Sequence, residues 1–182
     1  MDLAKNPKLL RWVVLGVALL VGLVAWLVTR DGDDEEPAPA PVATEARIVS
    51  EEELADVATV AGHPVYWAGP IPDTELEVTE DEEGVRVRYL EEGAEVGNEE
   101  VDFLTVGSYP LPDPAKSLEE FGEREGAIVN TGPDGRKLVA SEEKESNVYF
   151  VSPDNSVQVE VFDPDPERAM EIAESGQVQP VG

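Results

Sequence analysis

Two hydrophobic periodicities divide the chain. From Leu9 to Val28, LLRWVVLGVALLVGLVAWLV, every position is apolar except Arg11. About twenty such residues at about 1.5 Å each make a helix of roughly 30 Å, the thickness of a bilayer's hydrocarbon core. From Ile48 onward the apolar residues return in short runs, spaced for helices or for strands. The first pattern predicts a membrane-spanning helix over residues 9–29, and the second a folded domain over residues 48–182.

Within that domain, Ser50 followed by Glu53 forms a capping box, and Leu54, Val57, Ala58 and Ala61 follow at helical spacing until Gly62. Val65 to Trp67 reads as a strand ended by Gly69-Pro-Ile-Pro72. Leu76 and Val78, then Val85, Val87 and Tyr89, alternate with polar residues around Asp81-Glu-Glu-Gly84, which predicts a hairpin. Val101 to Tyr109 predicts a further strand, and Asp113-Pro114 opens a helix that buries Leu118 and Phe121. Two more hairpins are expected around Gly132-Pro-Asp-Gly135 and Pro153-Asp-Asn155, and a last helix between Asp165-Pro166 and Gly176 carries Ala169, Met170 and Ala173. Strands outnumber helices and tight turns join them. The fold class is therefore α+β: an N-terminal transmembrane helix, then a small, largely antiparallel sheet domain with about three short helices on one face.

Charge orients the span. Lys5, Lys8 and Arg11 precede or open the apolar run, while Asp31 to Glu36 are acidic apart from Gly32. Basic flanks stay cytoplasmic, so residues 1–8 are expected to be a short cytoplasmic tail, with Trp12 and Trp26 as interfacial anchors. The domain is then extracytoplasmic, on a single-pass cell-membrane protein. The apolar run exceeds the 7 to 15 residues of a secretory leader, and no small-x-small site follows Trp26, so an uncleaved anchor is favoured over a cleaved signal. Residues 30–47 pass from acids into Pro37-Ala-Pro39-Ala-Pro41. That composition favours extended polyproline II and makes a spacer reaching about 45 Å at about 3.1 Å per residue. Ala18 and Gly22 form a small-xxx-small step, read as part of a passive anchor before a dimer seam.

Composition restricts the chemistry. The chain has 40 acidic and 13 basic residues, a net charge of −27; the first thirty residues carry +3, which leaves −30 on the remaining 152. Such a surface repels nucleic acid and attracts cations or basic partners. With no cysteine there is no disulfide, thiolate nucleophile or lipidated-cysteine anchor. With one histidine, His63, there is no histidine-rich zinc site. His63 follows a helix end and precedes Tyr66 and Trp67, so these three are the candidate ligand-contacting residues, the lip of a small aromatic pocket. A helix-capping role for His63 is favoured over an acid/base one.

The hydrolase elbow is missing: Val106-Gly-Ser-Tyr-Pro110 has no glycine after the serine. Phosphate-cradling glycine loops are missing too. Acid clusters at Glu80–Glu83, Glu91–Glu95, Glu99–Asp102 and Asp163–Glu167 supply oxygen ligands, but the loop around Gly84 puts Thr79 first and Leu90 twelfth, where an EF-hand needs carboxylates. Diffuse, weak divalent-cation binding is expected, with no dedicated metal site, no cofactor and no nominated catalytic residue. The expected function is a noncatalytic binding or envelope-accessory module held in the membrane by residues 9–29, with an envelope protein as partner. A calcium-dependent surface module and, less favoured, an anchored hydrolase remain the alternatives.

Overall fold

A computed structural model describes residues 45–98 and 102–182. The predicted transmembrane helix at 9–29, the tail before it and most of the spacer lie outside the described residues. Among the described residues, no helix is long and apolar enough to cross a membrane.

The elements run β1 (Arg47–Val49), α1 (Glu51–Ala61), β2 (Tyr66–Trp67), β3 (Thr74–Asp81), β4 (Gly84–Glu91), β5 (Thr105–Tyr109), α2 (Pro114–Gly122), β6 (Ala127–Thr131), β7 (Lys137–Ser141), β8 (Lys144–Val151), β9 (Gln158–Phe162), α3 (Pro166–Ser175) and β10 (Gln179–Pro180). The domain is α+β, with a mostly antiparallel sheet and three helices. Local signals fix the helix ends. Ser50 Oγ accepts from the Glu53 N–H at 3.2 Å while Glu53 Oε2 accepts from the Ser50 N–H at 2.8 Å. Asp113 and Asp165 cap α2 and α3, each followed by proline, and Gly62 and Gly176 end α1 and α3 in the left-handed conformation.

Eight strands form one sheet in the order β1-β3-β4-β5-β9-β8-β7-β6, every pairing antiparallel, and β10 pairs with β2 apart from it. Two meanders, β3-β4-β5 and β6-β7-β8-β9, are thus joined through β5 and β9, strands about fifty residues apart in sequence. The register places Val78, Val87, Val106, Val161 and Val148 in one row across five strands, all fully buried. Branched side chains pack well across neighbouring strands, each pair contributing about 0.2–1 kcal/mol relative to alanine. Leu54 and Val57 of α1, and Ala169, Ile172 and Ala173 of α3, join the same cluster and cover this face.

The expectation that all helices share one face is corrected. Helix α2 lies on the opposite face, where Leu118 and Phe121 pack on Val139 and Tyr149. Leu138, Val139 and Ala140 are all buried, as are Val148, Tyr149 and Phe150. Successive side chains of a strand point to opposite faces, so β7 and β8 are apolar on both sides and need cover on both. Of the predicted strand Val101–Tyr109, Val101 lies outside the described residues and β5 begins at Thr105, with the Leu104 carbonyl accepting from the Tyr89 N–H at 3.0 Å.

Candidate functional site

On the α2 face the sheet changes character from one edge to the other. A second cross-strand row runs Thr79, Arg86, Gly107, Glu160, Tyr149, Val139, Val129. It is polar on β3, β4, β5 and β9 and apolar where α2 covers it. The polar part is centred on Glu160, which is only 7% exposed. Its Oε2 accepts from the Tyr109 hydroxyl at 2.8 Å, and its Oε1 from the Tyr149 hydroxyl at 2.8 Å and from Asn147 Nδ2. Burial first, then the negative charge of Glu160, raises both tyrosines well above the ordinary phenol range, so both keep the proton they donate. Arg86 lies beside Tyr109 and pairs with Asp81. One row over, Arg88 Nη1 pairs with the fully buried Glu77 at 2.8 Å, and Glu77 Oε2 also accepts from the Gly97 N–H at 2.6 Å.

This constellation gathers a carboxylate, two phenols and an amide. Glu160 accepts three hydrogen bonds, one at Oε2 and two at Oε1, which take up most of its acceptor capacity. Its chemistry is that of a satisfied buried charge, and it ties β5, β8 and β9 together.

The three residues singled out by sequence lie at and just before β2. Tyr66 is buried in the core, its ring edge-to-face with Phe150 at 5.9 Å and 82°, and burial raises its hydroxyl pKa. Trp67 packs half-buried against the same core, and His63 Nδ1 sits 3.1 Å from the Pro64 carbonyl oxygen. Neither of the two grooves described here is lined by any of the three. Ser108, the serine of the incomplete elbow, is fully buried and accepts from the Tyr66 N–H at 2.8 Å, linking β2 to β5. Of the acid clusters, Asp163 accepts from the Asp165 N–H at 3.0 Å and pairs with Arg168 at 3.5 Å. Among the described residues, no three acidic or histidine side chains gather in a way that holds a metal ion.

The open concavity lies on the other face, between α3 and strands β6 and β7. It has a volume of about 680 Å³, with Ile128, Ala140, Pro166 and Met170 supplying apolar surface and Glu145, Glu167, Glu171 and Glu174 the charge. Asn130 Nδ2 donates to Glu174 at 2.9 Å and holds that acid against β6. A smaller groove of about 300 Å³ beside α2 is lined by Leu118, Glu119, Arg136, Lys137 and others. Sequence reasoning passed over the larger groove because its acids look like ordinary solvated positions on α3. The signal was there in part: Glu167, Glu171 and Glu174 recur at helical spacing beside the core residue Met170. Glu160 was legible in a similar way, as a charge between Val159 and Val161 in a strand with no solvated side.

No family model, curated protein or solved structure matches this chain.

Proposed function

We propose that the chain is a noncatalytic binding module, tethered to the cell membrane by residues 9–29 with its folded domain on the extracytoplasmic side, and that it engages an envelope protein through the groove between α3 and β6. One contrast carries this reading. The buried polar centre around Glu160 is largely taken up by its own donors, whereas the groove is open, apolar at its base and charged at its rim. An apolar floor with a few placed polar groups is the ordinary make-up of a recognition site. The hydrolase alternative gains no support from Glu160, nor from His63, whose ring faces the Pro64 carbonyl.

The reading is tested in cells that carry the full chain, with a photo-crosslinking residue placed at Asn130, at Glu171, or at Val60 on α1, which is 81% exposed. Discrete adducts are expected from the first two positions and not from Val60. Equal labelling at all three positions, or none at Asn130 and Glu171, contradicts it.

A further inference from the structure

The sheet ends in an unguarded strand. The Gly132 N–H donates to the Arg136 carbonyl and the Glu142 N–H to the Gly126 carbonyl, each at 2.8 Å. Hydrogen-bonded pairs alternate along an antiparallel ladder, so the even positions of β6 bond inward to β7, and Val129 and Thr131 turn their N–H and C=O groups outward. These groups have no partner among the described residues. Natural edges are blunted by lysine, proline or inward charge. Strand β6, Ala127-Ile-Val-Asn-Thr131, carries none of these, although 29% of the chain's residues are charged. Val129 is also 46% exposed on the α2 side.

We infer that β6 accepts an extended segment of a partner protein as an added strand, and that this segment alternates basic with apolar residues. This rests on the reading of the groove as the binding surface and adds its mode and chemistry. Backbone pairing to an exposed edge provides affinity, and alternate side chains provide selection. On one face of an added strand, every second residue lies beside Ile128 and Asn130 and reaches toward Glu167 and Glu171, which make no ion pair among the described residues. Lysine or arginine matches that rim. On the other face, the intervening apolar residues cover Val129. A second copy of β6 is disfavoured as occupant, because the pairing sets two acidic grooves side by side.

The test uses the full chain in detergent micelles at 0.15 M salt and reads the fluorescence anisotropy of a labelled ten-residue peptide alternating Lys and Val. Saturable one-to-one binding is expected. It should weaken at least tenfold for a peptide of the same composition with the lysines in one block, for Val129→Pro, and for Glu171→Lys. Proline removes an outward N–H and leaves the bonds to β7 in place. If Val129→Pro loses its cooperative melt, Thr131→Pro removes the next outward N–H, and Glu171→Lys tests the rim with no backbone change. Equal binding of the block peptide, indifference to the variants, or dimers formed through this edge without peptide overturn the inference. If crosslinks at Asn130 and Glu171 form in cells while the alternating peptide fails to bind, the partner chemistry is wrong and the groove reading stands. If both fail, both fall.

Discussion

Tyr109 lies flat over Gly107. A Cβ at position 107 would fall 2.5–2.7 Å from the tyrosine ring and hydroxyl, so only glycine lets the ring cross to Glu160, which pairs with Gly107 on β9. Gly107→Ala is therefore expected to cost about 1–3 kcal/mol as overpacking, read as a lower urea midpoint at unchanged m-value. Gly122→Ala, whose nearest neighbour is the mobile end of Lys137, should lose nothing. The tyrosines themselves set an alkaline limit. In the unfolded chain they lose their protons near about pH 10, whereas Tyr109 and Tyr149 keep theirs to higher pH when folded. The folded state then binds more protons. Their contribution is intact below about pH 10 and falls above it by about 1.4 kcal/mol per pH unit for each tyrosine until its folded pKa is passed. Tyr109→Phe should show a shallower loss of stability between pH 10 and 11.5 than the parent. Equal slopes would contradict the buried phenol.

At the scale of elements, what was legible in the sequence was what local chemistry decides. Ser50 with Glu53, Asp113-Pro114, Asp165-Pro166 and the turn residues around 82, 134 and 154 marked three helices and three hairpins, because each signal acts within a few residues of where it sits. Strands β1 and β10, of three and two residues, were not legible, since partners 29 and 112 residues distant define them. The pairing of β5 with β9 escaped for the same reason. Helix α2 was found but put on the wrong face, although Leu138-Val-Ala140 and Val148-Tyr-Phe150 are apolar without alternation and so announce cover on both sides. That placement predicts that Leu118→Ala, which opens the small cluster with Val139 and Tyr149, costs about 2–5 kcal/mol. Leu118 and Phe121 form no part of the main core, so the change should leave the far-UV circular dichroism spectrum intact while lowering the melting temperature. An unchanged melting temperature would mean that α2 is not packed there.

For the whole molecule, the charge is arranged as well as abundant. On the polar side of the sheet Arg86 pairs with Asp81 and Arg88 with Glu77, while Glu167 and Glu171 beside the groove make no ion pair among the described residues. The proposed selection of a basic segment at that groove depends on which side of the membrane the domain occupies. The proposed topology, with the domain outside, rests on the basic tail ahead of the apolar run and the acidic, proline-containing spacer after it. The direct measurement is protease protection of a C-terminal epitope tag on the full chain, in intact cells or spheroplasts whose cytoplasmic proteins stay undigested. The tag should be removed without lysis, and the undigested chain should stay with the membrane fraction. A tag protected until the membrane is broken, or a domain recovered free in the soluble fraction with a shortened N-terminus, would contradict the tethered extracytoplasmic module.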